Sequence, residues 1–272
     1  MKKIILLSLL FCIEFTLFAI NSDTLKIKNH LRELTKTNFF RNHKNPNTLN
    51  DVAKYIYDEL DKYSDSTYYQ KYIVNGIEYK NVVSIFGASN KESIIIGAHY
   101  DVCGNQEGAD DNASGVTGLL ELARMLKAKE LNYKIEIVAY TLEEPPYFQT
   151  IHMGSYQHAR FLKENERDIY GMISLEMIGY FDDTKKSQNY PIKALSLFYG
   201  NQGNYITLVN KFQKGQFARK FSNSFKKRST IVTKKFTGPK ALPGIDFSDH
   251  LNYWSHGFSA LMITDTAFYR NK

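Results

Sequence analysis

The stretch SIIIGAHYD, residues 93–101, carries three consecutive isoleucines with no polar position among them, and then a histidine and an aspartate two residues apart. A strand without a polar face needs cover on both sides, as in the central sheet of an α/β domain. Working outward, apolar spacing predicts helices over 25–40 and 48–63; in the second, Val52, Ile56, Leu60 and Tyr63 share a face. Asn75-Gly76 separates two β-rich runs, 67–74 and 77–86, and predicts a hairpin closed by a primed turn. Beyond the isoleucines the pattern predicts a helix over 114–127, a strand over 134–141, a helix over 155–163 and a strand over 171–176. It continues with a strand over 194–198, a helix over 205–220 and a strand over 259–264. Alternation of this kind predicts an α/β fold with a mainly parallel sheet, whose ligands bind beyond the carboxyl ends of the strands. His99 and Asp101, Glu143-Glu144 and Glu176 all fall at such ends.

The 272 residues are 43% hydrophobic and 14% aromatic, enough for a buried core, which excludes a coiled coil, a collagen-like fibre or a disordered chain. No Pro/Gly/Ser-rich linker divides them, so one domain is expected. The net charge is +7. Its basic residues are spread, apart from a denser run over 211–240 that reads as solvated surface, and no nucleic-acid-binding motif accompanies them. Lys2 and Lys3 precede an apolar run and then Ala19, Asn21 and Ser22, the layout of a signal peptide over 1–22 and hence of a secreted or periplasmic protein. That run is shorter than the roughly 20 residues a stable membrane span needs. Phe11 stands where a lipoprotein signal wants a small residue before Cys12, which disfavours lipid anchoring. Once the signal is removed Cys103 has no intramolecular disulfide partner, and we read it as a pocket wall.

His99, Asp111, Glu143, Glu144 and Glu176 together place one imidazole and four carboxylates at one edge of the predicted sheet. Converging carboxylates repel one another and a bound cation relieves that repulsion; nitrogen and oxygen donors suit Zn²⁺, with Mn²⁺ or Co²⁺ as fits. Asp101 lies on the same side of an extended segment as His99 and can orient its second ring nitrogen. Asp111 stands before a helix, placed to bridge two cations. Adjacent glutamates cannot face the same way, so one of Glu143 and Glu144 can ligate while the other serves as general base. Singly, each feature is ordinary: a strand-end pair, a solvated loop, a helix cap. In this order, each at a strand end, they describe a metal site.

From about Asn81 onward the chain resembles the zinc-dependent exopeptidases of metallopeptidase family 28. The motifs that carry the resemblance are Gly97-Ala98-His99-Tyr100-Asp101, the segment 108–115, Glu143-Glu144-Pro145-Pro146, Met153-Gly154-Ser155, 174–180 and Ser248-Asp249-His250. The resemblance implies a three-layer α/β sandwich with a mainly parallel mixed sheet, the zinc-exopeptidase (phosphorylase/hydrolase-like) fold. It implies that His99 and Glu176 hold one zinc, that Asp111 bridges two, that Glu144 binds the second, that Glu143 is the catalytic base and that Asp101 orients His99. Asp110 is not carried over, and His152, His158, His250 and His256 take surface or supporting places. Glu176 stands where many members have Asp. The family's late histidine, beyond the last strand, has no counterpart before Lys272, so residues 23–272 are expected to form a peptidase domain lacking the usual C-terminal segment, with one zinc site incomplete. The implied function is a secreted metallo-aminopeptidase acting on peptides; the alternatives are a glutaminyl cyclase-like single-zinc acyltransferase and a catalytically impaired, truncated remnant. Side-chain preference and oligomeric state do not follow from the sequence.

Overall fold

The computed structural model describes residues 21–271 except 128 and 214. Residues 1–20, and with them most of the predicted signal peptide and Cys12, lie outside the described residues. Among the described residues no helix is long and apolar enough to cross a membrane.

Among the described residues eight strands form one mixed sheet: β1 (Ser66–Val74), β2 (Ile77–Phe86), β3 (Ser93–His99), β4 (Lys134–Tyr140), β5 (Ile169–Glu176), β6 (Ile206–Lys211), β7 (Thr233–Gly238) and β8 (Ala260–Thr264), in the order β1-β2-β4-β3-β5-β8-β6-β7. The hairpin forms as expected. Val74 faces Ile77, and Asn75 and Gly76 take φ of 50° and 79°, the left-handed pair a primed two-residue turn requires. β3 runs parallel to both β4 and β5, and its isoleucines are covered on both faces. One face carries α1 (Thr24–Thr35), α2 (Pro46–Asp61), α3 (Gly115–Leu126) and α6 (Gly215–Arg228); the other carries α4 (Gly154–Glu164) and α7 (His250–Ser255). The chain leaves β3 through α3 to β4 on one side, then returns through α4 to β5 on the other. That reversal opens a crevice at the carboxyl end of β3, where His99 stands.

Gly97 shows how tightly this strand end is packed. A Cβ there would meet Cε2 of Tyr140 at 2.2 Å, and the Tyr140 hydroxyl is bonded to that of Tyr253 at 2.7 Å, which in turn bonds His158 Nδ1 at 2.6 Å. Gly97→Ala is expected to cost about 1–3 kcal/mol through overpacking. Urea unfolding checks this, and an unchanged midpoint would contradict the packing.

Five elements differ from the sequence-based expectation. The predicted strand over 194–198 is a pair of short helical turns, Lys193–Leu195 and α5 (Ser196–Tyr199), that stay outside the sheet, in which β6 pairs with β7 and β8. The predicted helix over 205–220 is instead β6 followed by α6. Ile206 and Leu208 pack on one face and Val209 on the other, so burial on both sides hides the two-residue period, and Gly215 at φ 80° separates strand from helix. β7 and α7 had no counterpart in the sequence reading. The helix predicted over 25–40 ends at Thr35, and the chain turns inward to bury Arg41 and Asn42.

Candidate metal centre

His99 closes β3, Glu176 closes β5, Glu143 and Glu144 follow β4, and Asp111 lies just before α3. His99 Nε2 lies 3.3 Å from Asp111 Oδ1, 3.4 Å from Glu176 Oε2 and 3.9 Å from Glu143 Oε2. Two groups have potential ligand atoms all within 4.8 Å of one another: His99, Asp111 and Glu176, and His99, Glu143 and Glu144. The predicted pairing of Asp111 with Glu144 gathers no third donor of its own among the described residues.

Residues to which the sequence reading gave a lesser role, and Arg41, which it did not single out, hold this arrangement. Asn112 donates to the Leu175 carbonyl at 2.8 Å and accepts from Gly115 N at 3.1 Å and Met177 N at 3.2 Å, tying the start of α3 to the end of β5 and so fixing Asp111 against Glu176. Ser248 donates to Glu176 Oε2 at 2.8 Å. Arg41, 1% exposed, donates to the carbonyls of Leu34, Tyr100, Glu107 and Gly108 and braces the loop between His99 and Asp111. Asp101 does more than the sequence suggested. Its Oδ1 is 3.5 Å from His99 Nδ1, its own carbonyl oxygen is 3.2 Å from that nitrogen, and its two carboxylate oxygens accept from Glu143 N at 3.2 Å and Glu144 N at 3.1 Å. One side chain therefore sets the histidine and both glutamates. Asp110 points elsewhere, accepting from Gly179 N at 3.0 Å and Asn271 Nδ2 at 2.9 Å.

Of the other histidines, His158 and His250 are fully buried and not surface groups. His158 lies in the tyrosine network under β4, and His250 Nε2 donates to the Ile245 carbonyl at 2.8 Å. Cys103, expected as a pocket wall, is exposed and is not among the residues that line the two clefts at this site.

The electrostatics favour a cation. Burial raises Glu143 well above the usual carboxylate range, with Glu144, Glu176 and Asp249 adding repulsion. Burial, then Asp111, pushes Glu144 up to about 9, and burial raises Glu176. Burial alone would hold His99 neutral, yet Glu176 and Glu143 drive its pKa well above the ordinary value. His99 Nε2, Asp111 Oδ1 and Glu144 Oε1 are buried with no hydrogen-bond partner among the described residues. Such orphaned donors and acceptors are costly unless something binds them. The separations of 3.3 and 3.4 Å are also the edges of a tetrahedron whose corners lie about 2.0–2.1 Å from its centre, the Zn–N and Zn–O distance. These residues fit a divalent cation.

Two clefts meet at the cluster. One, of roughly 800 Å³ counted to its open mouth, reaches Glu176; its floor is Thr207, Val209, Met262 and Thr264, and aromatic side chains dominate its walls. The other reaches Asp111 past Asp110 and Asn271. Phe268 borders both. Among the described residues neither cleft is lined by a lysine or arginine.

The model of peptidase family M28 matches residues 81–271. The chain is 42% identical over 255 residues to the uncharacterized protein YfbL of Escherichia coli, covering 91% of this chain and 78% of that protein. It is 26% identical over 210 residues to a probable leucine aminopeptidase of Arthroderma otae, covering 72% of this chain but 49% of the relative. Among solved structures, LapB of Legionella pneumophila superposes with a TM-score of 0.69 at 22% identity, covering 93% of this chain and 64% of LapB. The chain thus spans about half the length of the fungal relative and under two thirds of LapB.

Proposed function

We propose that this chain, which belongs to peptidase family M28, is an exported, zinc-dependent aminopeptidase. The observation that carries the reading is the convergence of His99, Asp111 and Glu176 at tetrahedral-edge separations, with orphaned ligand atoms on the first two. His99, Asp111 and Glu176 would hold one zinc, and Asp111 and Glu144 would contribute to a second. A bound zinc supplies Lewis acidity, polarising the scissile carbonyl and making water acidic enough to lose a proton near neutral pH. Glu143 accepts that proton and returns it to the departing amine. Its backbone is fixed by Asp101 and its burial raises its pKa, which suits a group that must hold a proton between two steps.

The charge of the clefts supports the polarity. A carboxypeptidase needs a cation for the substrate's terminal carboxylate, and no lysine or arginine among the described residues lines either cleft. Clustered carboxylates instead suit an α-ammonium group. The apolar cleft beside Glu176 would take the side chain of the N-terminal residue, which favours large apolar residues such as leucine or methionine. Val209→Phe, which fills the floor of that cleft, is expected to lower kcat/KM for leucyl substrates roughly tenfold more than for alanyl ones. Equal losses on both would argue against this placement of the side chain.

The function itself is tested with a leucyl anilide and a glutaminyl peptide on the zinc-loaded chain. Release of free leucine supports the aminopeptidase. Cyclisation of the glutaminyl peptide without hydrolysis of the anilide would replace it with a cyclase, and neither reaction would leave a metal-binding protein without this activity.

A further inference from the structure

The charge of this protein is divided unevenly. Residues 184–245 hold thirteen lysines and arginines and not one aspartate or glutamate, leaving the rest of the chain at −6, with 22 basic against 28 acidic residues. The described salt bridges all join residues outside this stretch. The stretch folds around the edge strand β7. On one side Tyr199 of α5 donates to the Lys235 carbonyl at 3.0 Å, and Lys234 Nζ donates back to the Tyr199 carbonyl. On the other side Lys235 Nζ reaches Asn223 of α6 at 2.8 Å. Arg219, Lys220, Lys226 and Lys227 lie three or four residues from Asn223 along α6, hence on the same helical stripe, and all four are exposed. α5 adds Leu197 and Phe198, 84% and 82% exposed, the largest values among the exposed large hydrophobic side chains described.

Lysines on an edge strand discourage strand-to-strand association. That role accounts for Lys235 but not for an acid-free segment or for two bare apolar side chains at the same edge. Cations beside protruding apolar groups are the pattern of a surface that lies on a membrane: the cations meet lipid phosphates and the apolar groups enter the acyl boundary. We propose that the β7 edge, with α5 and α6 around it, binds anionic lipid headgroups, Arg219, Lys220, Lys226, Lys227 and Lys235 contacting phosphate and Leu197 and Phe198 inserting. A nucleic acid or an acidic peptide would satisfy the cations and leave both apolar side chains in water.

The test is co-sedimentation of the full chain with vesicles of phosphatidylcholine alone or of phosphatidylcholine with phosphatidylglycerol, hydrolysis of a leucyl anilide or thermal unfolding serving as the control for folding. Binding is expected only to the vesicles containing phosphatidylglycerol, and to fall as salt is raised. Lys226→Glu, Lys227→Glu and Lys235→Glu together are expected to weaken it by at least about tenfold. Leu197→Ser with Phe198→Ser is expected to weaken it as well, with the salt dependence retained. Equal partition onto both kinds of vesicle, or binding untouched by the charge reversals, would overturn the proposal. So would undiminished binding by the Leu197→Ser, Phe198→Ser variant, because the surface would then read charge alone.

Discussion

Glu143→Gln is expected to lower hydrolysis of a leucyl anilide by about 10²–10⁴ while leaving bound metal in place. The amide keeps the shape of the side chain and loses the capacity to take a proton. Glu143 Oε2 is the most distant of the three carboxylate oxygens around His99 Nε2, 3.9 Å against 3.3 and 3.4 Å, which sets Glu143 apart from the closer ligand pair. Its partner differs: Glu144 Oε1 is an orphaned buried atom, so Glu144→Gln should lower metal content and turnover together. Kinetics and metal analysis on the same preparations separate the two glutamates. Full turnover in Glu143→Gln, or metal loss as large as in Glu144→Gln, would reverse or remove the assignment.

The second large effect is on stability. With the metal stripped, the carboxylates retain protons that they would give up in the unfolded chain. A carboxylate whose folded pKa is raised, such as Glu144 at about 9, contributes fully below its unfolded value near 4.5, and that contribution is lost as pH rises toward 9. His99, raised well above its ordinary value of 6.5, acts in the same direction: its contribution is complete below 6.5 and lost as pH rises through the folded value. The metal-free chain should therefore weaken steadily from about pH 5 upward. A cation substitutes for those protons, and at a thousandfold excess over Kd it adds about 4 kcal/mol, roughly 10 °C in Tm for a domain of this size. Thermal unfolding with and without zinc should show an increment that grows between about pH 5.5 and pH 8. A constant or shrinking increment would mean that the raised carboxylates are not the groups that bind the metal.

The residues that carry chemistry were easier to read in the sequence than those that place them. His99, Glu143, Glu144 and Glu176 stand at or just after strand ends, and strands as apolar as 94–96 announce themselves. Arg41 gave no such signal: a single arginine in a polar segment becomes a buried brace only when the loop over 100–108 folds onto it. Asn112 was visible as a cap, yet its bonds to Leu175 and Met177 cross 63 and 65 residues of chain. The second half of the sheet was misread for a related reason. In β6, burial on both faces hides the period, while β7, with Lys234 and Lys235 at its middle, reads as a charged loop until it pairs with β6. The apolar cleft could not be foreseen because its walls come from the segments near 188–199, 242–247 and 266–269, which are brought together only by the order of β6, β7 and β8.

The measurement that bears most directly on the central claim is metal content per chain in the wild type, Asp111→Ala and Glu143→Gln, purified side by side and loaded with zinc. The geometry at His99 predicts bound zinc in the wild type and in Glu143→Gln, and its loss in Asp111→Ala, whose Oδ1 lies 3.3 Å from His99 Nε2 with no other partner. Asp111→Ala retaining the wild-type complement of zinc would contradict the metal centre described for this fold.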